Sequence, residues 1–204
     1  MHLLLGFIVS VCGSIMPSML NMTVVKFSLT SGRKSAFYLA AGISTILIIQ
    51  SSIAIYLSHI LMRNSDYVNL IQKIATAIFF IVSFYFFRKG IKKKKSMRKE
   101  RVQTGTAFVH GFILSTLNMF AIPFYFTVVT FLIAGNIFKF TYYNALFFAL
   151  GSALGTFFFL SLYAIVAKKV EYKIKFLAQK MDLVLGCITG IVAIVNAIYI
   201  YTNG

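Results

Sequence analysis

The chain has 204 residues, 59% of them hydrophobic and only 12% charged, with a mean hydropathy of +0.87. An average soluble domain carries about 25% charged residues, whereas the acids here are Asp66, Glu100, Glu171 and Asp182 alone. A soluble enzyme, a disordered tail and a secreted disulfide scaffold are excluded, which leaves an all-α, polytopic membrane protein.

A helix crossing a bilayer needs about 20 mostly apolar residues. Leu3 to Val25 carries no charge and forms the first candidate span. Its apolar run is longer than the h-region of a signal peptide and its n-region lacks Lys and Arg, so it reads as a retained helix. Val11, before Cys12, is not the small residue a lipoprotein cleavage site needs. Ser35 to Met62 is the second span. The third starts near Tyr67, places Lys73 at the interface and ends at Phe87. Val102 to Phe138 is a run of 37 uncharged residues, too few for two spans and a turn, which predicts one long or broken fourth helix. Phe140 to Ala167 is the fifth span, and Leu183 to Tyr201 the sixth, entered from near Ala178.

The net charge of +16 is not spread evenly. The loops after spans one, three and five hold Lys26, Arg33 and Lys34, then nine basic residues between Arg88 and Arg101, then Lys168, Lys169, Lys173, Lys175 and Lys180. The opposite side holds Arg63, Lys73 and Lys139. This asymmetry is the positive-inside pattern of a membrane protein rather than a nucleic-acid footprint. It predicts that both termini face outward. The run Arg88–Arg101 also suits contact with anionic headgroups.

The chain resembles itself. Gly6-Phe7-Ile8-Val9-Ser10 returns as Gly111-Phe112-Ile113-Leu114-Ser115, Pro17 as Pro123, Thr23-Val24-Val25 as Thr127-Val128-Val129, and Gly42 as Gly151. The period covers three helices, an odd number, so the second copy must enter the membrane from the other side. This predicts two inverted three-helix repeats, residues 1–90 and 105–204, joined by a basic cytoplasmic loop at 91–104. Inverted repeats are a common transporter architecture, with the solute held where helices break between the halves.

The candidate breaks are Pro17 and Pro123, the two prolines of the chain. Each would free the carbonyl four residues earlier, at Gly13 and Met119. Gly6, Ser10, Gly13, Ser14, Pro17 and Asn21 recur at helical spacing on one face of span one, as do Gly111, Ser115 and Asn118 in span four. Glycine and serine on such faces serve close helix packing as readily as a solute. The asparagines and Gln50 are costlier to place in lipid and suit a lining better. Ser14, Pro17, Asn21, Gln50, Asn118 and Pro123 are therefore the candidate substrate-binding residues.

No carboxylate falls in mid-span, so divalent-metal chemistry lacks its hard oxygen ligands, and neither metal nor cofactor is expected. Cys12 and Cys187 make no Cys-x-x-Cys pair, and Cys12 finds Leu117 at its repeat position. His2, His59 and His110 are scattered. No Ser/His/Asp set has usable spacing, which argues against an enzyme.

Several short motifs resemble the lysine exporter family, LysE/RhtB. They are Ile15-Met16-Pro17, Ser31-Gly32-Arg33-Lys34, Ala40-Ala41-Gly42, Gly111-Phe112 with Asn118, Leu150-Gly151, Tyr163-Ala164 and Lys180-Met181-Asp182. The resemblance covers nearly the whole chain. Two elements depart from it: the family's Pro-Gly-Pro is Pro17-Ser18-Met19, and its Asn-Pro-Lys is Asn118-Met119-Phe120. The resemblance implies a multi-pass protein of the bacterial inner membrane that exports amino acids or related small polar metabolites, driven by a proton or voltage gradient. A lining of Asn, Ser and Gln without fixed charge suits a solute that brings its own balanced charges. Asp182, at the cytoplasmic mouth of span six, is the candidate for proton coupling. The partners expected are that metabolite and the lipid bilayer, and a homo-oligomer is compatible with the pattern. A second class remains open: a non-transporting membrane subunit or assembly factor that kept a transporter fold.

Overall fold

The computed structural model describes residues 1–15, 18–63, 77, 80–81, 83–84, 88, 104–118, 120–169, 187, 190–191, 193–194 and 197–198. The third and sixth expected spans lie largely outside these residues, as do Pro17, Met119, Asp182 and the basic loop after Arg88. All regular structure among the described residues is helical. Contacts divide the chain into two units, Met1–Met62 with Lys99–Ile174, and Arg63–Arg98 with Lys175–Gly204. In the second unit the Arg88 guanidinium stands 5.5 Å from the centre of the Phe84 ring, one helical turn away.

Among the described residues the first unit holds six helices, α1 (His2–Ile15), α2 (Met19–Thr30), α3 (Arg33–Arg63), α4 (Thr104–Thr116), α5 (Ala121–Ala134) and α6 (Tyr142–Ile165). With 31 and 24 residues, α3 and α6 are long and apolar enough to cross a membrane. The axes of α1 and α2 diverge by 79° and those of α4 and α5 by 62°, so each pair forms one broken span or a re-entrant loop. The unit thus carries two to four spans. The uncharged run expected to hold one long or broken helix holds the bent pair α4 and α5.

Local chemistry sets the boundaries. α1 is described as far as Ile15, and Met16 and Pro17 lie outside the described residues. α2 opens on Ser18, whose extended backbone (φ −111°, ψ 170°) and side-chain oxygen cap the Asn21 N–H. It closes with the Ser31 N–H bonded to Phe27 O at 2.9 Å, followed by Gly32 at φ +90°, a left-handed conformation that glycine adopts without steric cost. α5 and α6 are joined through Asn136 (φ 56°), a residue type that tolerates this region.

Four glycines bring backbones together. A Cβ on Gly6 of α1 would strike the Phe148 carbonyl of α6, and one on Gly151 of α6 would strike the Leu3 carbonyl of α1. The pair α3–α4 repeats the arrangement: a Cβ on Gly42 meets the Phe108 carbonyl, and one on Gly111 meets the Leu39 carbonyl. In each case the obstructing oxygen sits three residues before the partner glycine. Small residues at helix interfaces allow such approach in lipid, where packing replaces the hydrophobic drive. Around these seams Val24, Phe27, Leu39, Ile43 and Leu160 form one buried cluster, and Leu47, Ile55, Tyr125, Val129, Phe138 and Phe148 another.

The exterior is apolar, with Ile8, Ile49, Ile53, Phe131, Leu154 and Phe158 among its exposed side chains. Polar residues on it are quenched locally. Thr45, Thr116 and Thr127 are exposed, and each donates its hydroxyl at 2.9 Å to the carbonyl four residues back. Backbone and side-chain groups satisfied within their own helix are what a hydrocarbon solvent requires.

Candidate functional site

Both breaks free helix-end carbonyls, and both are met by side-chain amides. At the first, Asn21 in α2 reaches back and donates from Nδ2 to Ser14 O at 3.0 Å. The carbonyl that accepts is Ser14 rather than Gly13. Asn21 Oδ1 takes a hydrogen bond from Ser18 Oγ at 3.1 Å, and Tyr163 of α6 also approaches the amide. At the second break the donor is remote in sequence. Gln50 of α3 donates from Nε2 to Ser115 O at 3.0 Å and to Asn118 O at 3.4 Å. Asn118 turns its own Oδ1 to the Phe120 N–H at 3.4 Å. The break precedes Pro123, which sits as the third residue of α5, in the first turn. There its missing N–H removes no helical hydrogen bond. The interruption therefore falls between Thr116 and Ala121, and Pro123 lies in the first turn of the next helix rather than at the end of the last.

A buried set of hydroxyls joins α1, α5 and α6. Ser10 of α1 and Thr156 of α6 share a hydrogen bond. The Tyr125 hydroxyl of α5 stands within reach of Ser10, Ser152 and Thr156. Tyr125 is 3% exposed and Ser152 fully buried, yet Ser152 also bonds Phe148 O at 2.9 Å. On the α3–α4 side, Ser115 Oγ donates to Ile43 O at 3.2 Å. Among the described residues the buried polar groups are hydroxyls, amides and carbonyls, with no carboxylate or ammonium.

The two ends of the unit differ. At one, Ser28 Oγ donates to Ala164 O at 2.6 Å and Arg33 Nη2 to Ile165 O at 3.3 Å, which brings Arg33 at the start of α3 to the end of α6. At the other, the His59 and Phe140 rings stack at 3.9 Å, His2 meets Phe138 edge-on at 5.2 Å, and Ser58 Oγ donates to Phe126 O at 3.0 Å.

Of the candidate residues, Ser14 and Asn21 meet at the first break, and Gln50 and Asn118 at the second. No described hydrogen bond joins Asn21 to Asn118. Pro17 and Asp182 lie outside the described residues. Sequence reading missed Tyr125 and Thr156 as a pair with Ser10. The one available signal was a tyrosine among the phenylalanines of α5. No group of three or more His, Cys, Asp or Glu able to hold a metal occurs among the described residues.

The chain matches the family model described as LysE type translocator over residues 11–203. No curated protein matches it, and no solved structure does.

Proposed function

The chain belongs to the LysE type translocator family, and from that premise we propose that it is a secondary transporter, not an enzyme, that exports amino acids or related small polar metabolites by alternating access. Membership makes it a multi-pass membrane protein with a small-molecule cargo and a lipid surround. The observation that carries the finer reading is the pair of breaks within apolar spans, each facing an amide and neither bearing a fixed charge. A zwitterion can sit among such dipoles without leaving an unpaired charge in the membrane.

The reciprocal glycine seams support two inverted repeats, 1–90 and 105–204, around the 91–104 loop. Gly6 and Gly111 occupy matching repeat positions, as do Gly42 and Gly151, and each pairs across to the other half. The charge pattern and the family suit six spans in the bacterial inner membrane, with the end that carries Arg33 and Lys168 in the cytoplasm and both termini outside. A Ser96→Cys variant in intact spheroplasts is then expected to resist an impermeant maleimide and to react after permeabilisation. Labelling before permeabilisation overturns the orientation.

Efflux tests the activity directly. Proteoliposomes loaded with a mixture of amino acids and dipeptides are expected to release at least one of them about tenfold faster than protein-free vesicles under an imposed pH gradient or voltage, the voltage acting on a net-neutral zwitterion only through a coupled ion, at about 2.3 kcal/mol per charge moved per 100 mV. A requirement for a pH gradient that disappears in Asp182→Asn assigns proton coupling to that acid. Release equal to that of protein-free vesicles under every gradient favours the non-transporting subunit instead.

A further inference from the structure

The two breaks differ in how completely their polar groups are satisfied. At the first, the Asn21 amide is spent within the chain: Nδ2 on Ser14 O, Oδ1 on the Ser18 hydroxyl, with the backbone N–H on Ser18 Oγ at 3.3 Å. At the second, Gln50 spends only its nitrogen. Its Nε2 donates to two carbonyls, Ser115 O and Asn118 O, which identifies the other amide atom as the oxygen. That Oε1 has no hydrogen-bond partner among the described residues, although Gln50 is 7% exposed. α5 begins at the same break, and its N-cap residue Phe120 supplies no side-chain cap.

A buried acceptor without a donor is costly, and such exceptions in a native protein mark a missing partner. The partner must bring an N–H or O–H. A carboxylate cannot serve, being acceptor only, and neither can a methyl group. Of the groups on an amino acid, the protonated amine is the one that always carries such hydrogens. We propose that the cargo is held beside Gln50, that Gln50 Oε1 accepts a hydrogen bond from the cargo's protonated amine, and that the Asn21 amide serves structure rather than the cargo. This assignment rests on the exporter reading above. It also specifies the manner of recognition: an amide is neutral and does not titrate, so it orients an ammonium group without the hold that a carboxylate would exert, and its acceptor strength is constant with pH.

The test separates hydrogen bonding from charge. Proteoliposomes are loaded either with a mixture of neutral L-amino acids or with the same mixture trimethylated at nitrogen, which keeps the positive charge and removes every N–H. Wild-type protein is expected to release the free amines faster, and in Gln50→Met that preference is expected to fall by about tenfold, the size of a hydrogen bond to a charged group. Gln50→Glu, which keeps an acceptor oxygen, is expected to retain the preference, and it decides the matter if Gln50→Met does not accumulate. A preference unchanged in Gln50→Met, or lost in Gln50→Glu, overturns the assignment and leaves an ordered water as the partner of Oε1. Absence of release of either mixture by wild type overturns the exporter reading together with it.

Discussion

Gly151→Ala is expected to destabilise the protein by about 3 kcal/mol, at the upper end of overpacking costs, and Gly151→Val to prevent its accumulation in the membrane. The added Cβ would occupy the space of the Leu3 carbonyl oxygen in α1. Backbone cannot rotate aside as a side chain does, so relief requires α1 and α6 to separate along their whole seam. Gly6→Ala, Gly42→Ala and Gly111→Ala are expected to behave alike, for the same reason at their own carbonyls. Gly105→Ala is the control, since nothing lies within 4 Å of its Cβ. Thermal transitions of the detergent-solubilised variants, followed by size-exclusion chromatography, check the set. A Gly151→Ala transition within a degree or two of wild type would show that the seam is looser than described.

The second large effect concerns the asparagines, which the repeat pattern treats as equals. Asn118→Leu is expected to abolish transport while membrane abundance stays near wild type. Its side chain makes one long contact, to the Phe120 N–H, and Gln50 addresses its backbone oxygen, which leucine retains. Asn21→Leu is expected to do the reverse. It strands the Ser14 carbonyl and removes the partner of the Ser18 hydroxyl inside a 97% buried position, a loss of about 1–3 kcal/mol per orphaned group. Its transport per folded molecule should remain. Efflux rates normalised to folded protein separate the two outcomes. Equal loss of normalised transport in both would return Asn21 to the solute pathway.

Much of this arrangement is legible in the residues. Charge spacing alone delimits the long α3 and α6 and reads the run from Val102 to Phe138 as one long or broken helix, without choosing between the two. The breaks themselves are legible only in part. A proline is a strong local signal for a helix boundary, but it does not say on which side the boundary falls. Pro123 is as content in a first turn as beyond a last one, so the interruption was expected one turn too late. The partners of the freed carbonyls are less legible still. Asn21 caps a carbonyl seven residues behind it, within the reach of local reasoning, whereas Gln50 caps one 65 residues ahead. No periodicity within a helix encodes such a contact. It follows from the glycine seam between α3 and α4, which sets the depth at which Gln50 meets the end of α4. Tyr125 escaped notice for the same reason, because its hydroxyl partners lie on α1 and α6.

The threonines that return their hydroxyl hydrogens to their own helix carry a consequence for genetics. Thr45, Thr116 and Thr127 present to the lipid a methyl group and an oxygen already donating inward. To the acyl chains they are valines in all but name. A library that replaces every serine and threonine by its apolar isostere should therefore divide sharply. These three positions should be silent in growth and in efflux, whereas Ser10, Ser58 and Ser115, whose hydroxyls reach a second helix, should score. The density of polar letters in a span then overstates the width of the pathway through it. The sensitive positions, not the polar ones, trace the route.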